Sequence, residues 1–238
     1  QLKKIIREEK ITISGDTRCD RVINIAENFK EVPGISEFCG KHKVIVAGST
    51  WEDDEIEWTH FARQNPEIKF IIAPHEIDVG NLADVKKEFP DSIFYSEWME
   101  ERRPGTDDRW LTTEDTRPHC LIIDNIGMLS RLYYYATITY VGGGFGDDGL
   151  HNILEAAVYG KPVIFGPEFD KNFEAEEMID CSGALSIGNA IELEKVVNNL
   201  LNNEGELLSR SAAAKRYVYK NAGATDKIIS FLKENSLL

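Results

Sequence analysis

The strongest candidate for ligand chemistry is the glycine-rich segment at residues 141–155, which reads VGGGFGDDGLHNILE. An apolar run that predicts a strand precedes it, and the segment leads into a predicted helix. Glycines have no Cβ atom, so the backbone at such a turn can approach a ligand closely. The start of a helix adds unpaired N–H groups and the positive end of its dipole. The segment therefore predicts a turn that holds a phosphate group.

Two polar residues near the start of the predicted helix, Asn152 and Glu155, are three positions apart. This spacing places them on one helix face, where the carboxylate could accept hydrogen bonds from both hydroxyls of a ribose. The alternative is that both side chains only cap a helix. Residues 144–149 also match the dinucleotide fingerprint G-x-G-x-x-G, but that motif belongs in the first β-α unit, and Asp147 and Asp148 would repel a pyrophosphate. A nicotinamide or flavin site is therefore disfavoured.

Four further turns follow predicted strands, where open parallel sheets bind their ligands. In one of them Ser49 and Thr50 precede a predicted helix, and the spacing from Thr50 to Asp53 predicts a capping box. Their hydroxyl groups, next to the amides of a helix start, are also able to hold a carboxylate or a phosphate. Both interpretations stay open at this turn.

The other three turns carry one candidate each. His75 follows Pro74 directly after a strand, although a single histidine is more often a structural residue than a catalyst. Arg18 lies beside a predicted helix cap and is a candidate partner for an anion. Ile126 gives the turn after another strand an exposed apolar edge that could face a base.

Composition and charge exclude several classes of function. The chain has 238 residues, enough for one large domain or two small ones, and 27 basic against 41 acidic side chains give a net charge of −14. This charge repels nucleic acids and anionic lipid surfaces, so we expect neither as a direct partner. The scattered cysteines predict no metal site, no disulfide framework and a reducing, cytoplasmic location. The sequence contains no nucleophile elbow, catalytic triad pattern or P-loop motif.

Short runs rich in Val and Ile alternate with amphipathic segments, which is the pattern of β-α units in a mainly parallel sheet. We therefore predict a doubly wound, Rossmann-like α/β fold in one domain that spans residues 1–238. The predicted strands lie at residues 11–14, 43–47, 69–73, 93–95, 120–124, 138–141, 162–165 and 184–187. The predicted helices lie at residues 20–29, 52–64, 82–89, 127–135, 150–159, 173–180, 192–202 and 207–235, with a charged helix at 1–9 and a long loop at 97–118.

The ordered turn motifs resemble those of one enzyme family. They are AGST at residues 47–50, APH at 73–75, DNIG at 124–127 and VGGGFGDDGLHNILEAAVYGKPVIFGP at 141–167. In order and spacing these motifs resemble the 3-deoxy-D-manno-octulosonic acid (Kdo) transferases of lipid A and lipopolysaccharide assembly. The last block is the most specific, although related nucleotide-sugar enzymes share its outline.

The resemblance implies a GT-B glycosyltransferase, in which two Rossmann-like domains face a cleft, and this chain corresponds to the carboxyl-terminal, donor-binding half. The amino-terminal acceptor domain is expected outside this chain. The implied reaction transfers Kdo from CMP-Kdo to a lipid A precursor with inversion, at the cytoplasmic face of the inner membrane. The general base is implied to belong to the other domain, so this chain is expected to hold no catalytic residue, to be inactive alone and to need neither a metal nor a cofactor. Contact with the membrane is likewise expected from the other domain.

The resemblance also implies roles for residues of this chain. The implied donor-binding residues are Gly142, Gly143, Gly144 and His151 around the phosphate or sugar, Asn152 and Glu155 at the nucleotide, Ile126 near the cytosine, and Ser49, Thr50, Pro74 and His75 to complete the pocket.

The chain departs from the family pattern at two positions near the implied site. Many members have Pro-Arg-His where residues 74–76 read Pro-His-Glu, and a histidine where this chain has Trp51. The cation expected near the donor is therefore assigned to Arg18. The alternatives left open are the donor domain of a UDP-sugar transferase or epimerase, a nucleotide-binding module without catalysis, and a nicotinamide-dependent oxidoreductase.

Overall fold

The structure, a computed structural model, describes residues 11–102, 118–146 and 149–237. The charged helix predicted at residues 1–9 and most of the loop predicted at residues 97–118 lie outside these ranges. Across the described ranges, none of the helices is both long and apolar enough to span a bilayer.

Helices and strands alternate along most of the chain, as the pattern of apolar runs predicts. In chain order they are α1 (Thr17–Glu27), α2 (Ile35–Cys39), β1 (Val44–Thr50), α3 (Glu52–Gln64), β2 (Lys69–Pro74), α4 (Val79–Glu88), β3 (Ser92–Phe94), α5 (Tyr95–Glu100), β4 (Cys120–Ile122), α6 (Leu129–Leu132), β5 (Ile138–Val141), α7 (Leu154–Ala157), β6 (Val163–Phe165), α8 (Phe173–Asp180), β7 (Ala184–Ser186), α9 (Ala190–Asn202), α10 (Glu204–Lys220) and α11 (Ala224–Glu234). A 3-10 helix, Tyr133–Tyr135, follows α6.

The strands of the described ranges form one parallel sheet with the order β3-β4-β2-β1-β5-β6-β7. At its centre Val46 of β1 lies opposite Ile71 of β2 and Thr139 of β5. The chain leaves β1 towards β2 on one side and later returns to place β5 on the other. This reversal of strand order opens a crevice at the carboxyl ends of β1 and β5, where open α/β sheets bind ligands.

Helices cover both faces of the sheet because the central strands are apolar at consecutive positions. Val46 belongs to a buried cluster that includes residues of α1, α2, α5 and α10. Its neighbour Ile45 points to the opposite face, where a second cluster includes residues of α3, α4 and α9. Both residues are 0% exposed. The predicted doubly wound α/β fold is therefore confirmed.

The strand predicted at residues 11–14 is wrong. The segment has no regular structure, and Ile13 is 86% exposed. In the described ranges the sheet ends at β3 and β7, and residues 11–14 pair with neither of these edge strands. The segment instead leads into the N-terminus of α1. There the Asp16 carboxylate accepts a hydrogen bond from the Arg18 N–H at 2.8 Å.

Several predicted helices have different bounds. The helix predicted at residues 150–159 is reduced to the four residues of α7. The residues before it form an irregular turn, which ends where the Asn152 side chain accepts a hydrogen bond from the N–H of Leu154. The helix predicted at residues 207–235 is divided into α10 and α11 at Gly223, which has a φ of +94°. In addition, α5 occupies the first residues of the predicted loop.

Candidate functional site

Three aromatic side chains meet at the carboxyl edge of the sheet, each from the turn after a different strand. Trp51 follows β1, His75 follows β2 and His151 lies in the connection after β5. The ring centroids of Trp51 and His75 are 4.5 Å apart, and those of His75 and His151 are 4.4 Å apart. The indole Nε1–H of Trp51 donates a hydrogen bond to Nε2 of His151 at 3.2 Å. The structure thus brings together two predicted site residues and one that the sequence analysis treated only as a departure.

The glycine turn after β5 packs closely against neighbouring backbone. A Cβ atom at Gly142 would lie 2.3 Å from the carbonyl oxygen of Ser49, and one at Gly144 would lie 2.7 Å from the backbone nitrogen of Gly166. Gly143 has a φ of +92°, which favours glycine. The sequence predicted glycines that admit a ligand, whereas in the structure the close approach at Gly142 and Gly144 is to neighbouring backbone.

A buried carboxylate, Asp54 in the first turn of α3, fixes the glycine turn to the start of that helix. Asp54 is 0% exposed and accepts hydrogen bonds from the Tyr140 hydroxyl, from the Gly143 N–H at 2.8 Å and from the Trp51 N–H at 3.0 Å. Burial raises the pKa of Asp54, and these three hydrogen bonds oppose that rise because they stabilise the charged form. The sequence analysis missed this residue, since acidic side chains in a first helical turn are normally solvated.

The capping box predicted between Thr50 and Asp53 is wrong by one position. The N-terminal residue of the helix cap is Trp51, and its N–H is bonded to Asp54. The Thr50 side chain is buried and its hydroxyl donates to the Glu55 carboxylate at 2.7 Å. Burial raises the pKa of Glu55 to about 7. The hydroxyl predicted to hold a ligand at Thr50 is therefore engaged inside the protein.

Ser49 lies beside this buried network and has an unusual backbone. It is half-buried and has a φ of +53°, a conformation that few side-chain-bearing residues adopt. The parallel pairing of β1 with β2 changes register here, so that Gly48 lies opposite Ala73 but Thr50 lies opposite Pro74. Pro74 is buried at the end of β2, directly before His75.

Asn152 and Glu155, which were predicted to lie on one helix face, contact each other, although Asn152 precedes α7. The Asn152 amide donates to the Glu155 carboxylate at 3.3 Å, and its carbonyl oxygen accepts from the Leu154 N–H at 3.2 Å. Both side chains are half-buried, and burial raises the pKa of Glu155. Asn152 therefore caps a short helix and also holds the carboxylate at the sheet edge. The predicted contact of Glu155 with a ribose stays a prediction.

The two remaining candidates differ in their surroundings. Ile126, in the connection between β4 and α6, is 86% exposed. The Arg18 guanidinium contacts the carboxylates of Asp16 and Glu174, each at 2.7 Å. Both interactions raise the pKa of Arg18 and hold the side chain in place. Arg18 is thus already paired with two carboxylates of the protein, and its expected contact with an anion stays a prediction.

Comparisons with known proteins place the fold and the motifs in context. No protein-family model matches the chain. The 3-deoxy-D-manno-octulosonic acid transferase of Rickettsia typhi is 33% identical over 115 residues, which are 47% of this chain and 25% of that protein. The protein of the same name from Chlamydophila psittaci is 26% identical over 189 residues, or 78% of this chain and 40% of that protein.

A solved structure supports the architecture. The C-terminal CMP-Kdo binding domain of WaaA from Acinetobacter baumannii superposes with a TM-score of 0.63 at 18% identity, covering 84% of this chain and 98% of that domain. The matches span only 25% and 40% of the length of the two relatives named above. Parts of the chain are therefore similar in sequence to 3-deoxy-D-manno-octulosonic acid transferases, and its fold is that of the superposed CMP-Kdo binding domain.

Proposed function

We propose that this chain is the CMP-Kdo-binding domain of a Kdo transferase, with residues 1–238 forming one domain. The acceptor, a lipid A precursor, would bind to a second domain that also supplies the general base and the membrane contact. The complete enzyme would act at the cytoplasmic face of the inner membrane. The names of the relatives and of the superposed domain support this proposal.

The observation that carries the proposal is the Asn152–Glu155 pair beside His151 at the switch point of the sheet. A half-buried carboxylate, oriented by a neighbouring amide, is suited to accept hydrogen bonds from both hydroxyls of a ribose. In this proposal His151, on the connection that leads to this pair, contacts the phosphate. Ile126 offers an apolar edge for the cytosine.

In this proposal the chain's own residues bind and orient the donor, and none of them acts on the acceptor. Hydrogen-bond donors around the phosphate stabilise the charge that develops on CMP as the bond to the sugar breaks. Inversion at the anomeric carbon follows when the acceptor hydroxyl attacks from the opposite side. The base that removes its proton belongs to the second domain.

The test is a calorimetric titration of the purified chain with CMP, UDP and NAD. We expect CMP to bind most tightly and Glu155→Ala to weaken it by about 1–3 kcal/mol, because a charged acceptor of two hydroxyls is lost. The matched control is Glu168→Ala, an exposed carboxylate at the same sheet edge, which should leave CMP affinity unchanged.

The outcomes separate the alternatives. Preference for UDP would contradict the Kdo assignment and favour a UDP-sugar enzyme, and preference for NAD would favour an oxidoreductase. Equal affinity of Glu155→Ala and wild type would remove the carboxylate from the site. A transfer assay with CMP-Kdo and lipid A precursor should show no turnover by this chain alone, and turnover would contradict the assignment of the base to another domain.

A further inference from the structure

Asparagines precede three consecutive helices of the chain, α8, α9 and α10. The side-chain oxygen of Asn189 accepts from the Glu192 N–H at 3.0 Å, and that of Asn203 accepts from the Glu206 N–H at 3.1 Å. Both asparagines therefore cap their own helix, which is the usual role of this residue type before a helix. Asn172 occupies the same position before α8, but in the described part of the chain its side chain makes no cap hydrogen bond.

The side chain of Asn172 instead reaches the connection between β5 and α7. Its Nδ2 group donates to the carbonyl oxygen of Leu150 at 2.9 Å, 22 positions earlier in the chain. A carbonyl oxygen is only an acceptor, so the atom that faces it must be the amide nitrogen of the asparagine. A helix cap needs the side-chain oxygen, whereas this contact needs the N–H group.

The connection depends on such contacts, because its described residues form no helix or strand before α7. Two of its carbonyl groups are bonded to the turn after β6. That of Gly144 accepts from the Glu168 N–H at 2.8 Å, and that of Leu150 accepts from Asn172. The contact of Asn172 is the one nearer to the pair that carries the proposed function, since Leu150 lies two residues before Asn152.

The turn that carries Asn172 is itself anchored to the core. The Asn172 N–H donates to the carbonyl oxygen of Phe169 at 2.8 Å. The Phe169 ring packs on that of Phe165, with centroids 5.3 Å apart. Phe165 belongs to β6 and is 0% exposed. Asn172 is therefore held firmly enough to fix the connection that it contacts.

We propose that Asn172 is a positioning residue of the donor site. Through its hydrogen bond to Leu150 it holds the connection in the arrangement that brings Asn152 and Glu155 to the nucleotide, and it does not contact the ligand itself. This inference rests on the proposed function for its ligand. The hold on the connection depends only on residues of the ligand-free chain, so the two can fail separately.

The decisive variant is Asn172→Asp, which keeps the shape and the oxygen of the side chain but replaces its N–H group by a charged acceptor. The matched control is Asn189→Asp, the same substitution before α9. Aspartate caps helices about as well as asparagine. A capping role therefore predicts that both variants behave like wild type, whereas the proposal predicts a change only for Asn172→Asp. Asn172→Ala, which removes the donor without adding a charge, replaces this variant if the carboxylate prevents folding.

The first measurement is the backbone order parameters of the ligand-free chain by NMR relaxation. We expect values near about 0.85, typical of a rigid backbone, for Leu150 and His151 in wild type, and a fall towards about 0.6 in Asn172→Asp. Val46 in the central strand should keep its value, and Asn189→Asp should leave all of them unchanged. A loss of global stability alone does not lower order parameters in the folded state. Unchanged values for Leu150 and His151 in Asn172→Asp would overturn the inference.

The second measurement is a double-variant cycle on the affinity for CMP, measured by calorimetry. We expect Asn172→Asp to weaken CMP about fivefold, the effect of about one hydrogen bond, and Asn189→Asp to leave it unchanged. If Asn172 acts through Glu155, then adding Asn172→Asp to Glu155→Ala should weaken CMP much less than fivefold.

Three results would overturn the positioning role: unchanged affinity in Asn172→Asp, an equal loss in Asn189→Asp, or fully additive losses in the double variant. A wild-type chain that binds no CMP would contradict the proposed function and, with it, the role of Asn172 at the nucleotide. The order parameters decide separately whether Asn172 holds the connection.

Discussion

Two polar segments begin helices at the same edge of the sheet, and they use similar residues in different ways. Residues 51–55 start α3 after β1, and residues 151–155 lead into α7 after β5. Each segment has an aromatic residue first and a glutamate last. In the first segment the carboxylates of Asp54 and Glu55 are buried and bonded to the protein. In the second, the polar side chains are half-buried at the crevice.

The difference separates a segment that is bonded into the protein from the segment that we propose to face the ligand. Asp54 bonds to both its own helix cap and the glycine turn, so it joins the ends of β1 and β5. The helix behind it, α3, has 13 residues and packs on α4 and α9. The α7 helix has only four residues, and Asn152 and Glu155 precede or begin it. A segment whose carboxylates are buried and internally bonded thus supports one whose polar side chains are half-buried at the crevice.

The largest expected effect tests the supporting role of Asp54. Asp54→Ala removes the acceptor of three hydrogen bonds and leaves the Tyr140 hydroxyl and two backbone N–H groups without it. We expect the free energy of unfolding to fall by at least about 3 kcal/mol, since each buried polar group left unpaired is costly. Urea unfolding followed by circular dichroism measures this change.

The neighbouring residue provides the control for Asp54. Asp53 is exposed in the same helical turn, so Asp53→Ala should change stability by no more than about 0.5 kcal/mol. If the two variants were equally stable, the buried carboxylate would not be what joins the two turns.

The second prediction concerns the contact between the two segments at Gly142. A Cβ atom there would lie 2.3 Å from the carbonyl oxygen of Ser49 and 2.8 Å from the Asp54 carboxylate. We expect Gly142→Ala to destabilise the chain by about 2–3 kcal/mol, because the backbone of β1 cannot move aside cheaply. Gly146→Ala is the control from the same turn, because among the described residues the nearest atom to its Cβ would be a carboxylate oxygen of Asp53 at 3.7 Å. Equal unfolding midpoints for both variants would contradict the close packing.

The sheet and the position of the site could be predicted from the sequence, because both depend on local patterns. Apolar runs of Val and Ile predicted the strands, and parallel strands place their carboxyl ends at one edge. Helical spacing predicted that Asn152 and Glu155 lie close together, and they do, although Asn152 precedes α7. Residues 11–14 show the limit of this reasoning, since their short pattern resembles a strand but the segment does not join the sheet.

The internal bonding of the turn after β1 could not be predicted, because it depends on a shift of one residue. The register change near Ser49 turns the Thr50 side chain inwards to Glu55, and the cap moves to Trp51. The roles of Asp54 and Trp51 follow from contacts with β5 and its connection, which are distant in sequence. Likewise, nothing near Arg18 in the sequence indicates its partner Glu174 in α8.

The smallest expected effect concerns the pH dependence of stability. It compares Glu55 and Glu155, the final glutamates of the two segments. Burial raises the pKa of Glu55 to about 7 in the folded chain, well above the 4.5 of an unperturbed glutamate. The folded state therefore binds this proton more tightly, and the stability that it contributes is lost as pH rises from about 4.5 to about 7. We expect Glu55→Gln to remove about 1–3 kcal/mol of this decline, measured by urea unfolding at pH 5 and pH 8. Glu155→Gln should change the slope in the same direction and by less, because Glu155 is only half-buried. An unchanged slope in Glu55→Gln, or a larger change in Glu155→Gln, would reverse the assignment of the buried and the ligand-facing carboxylate.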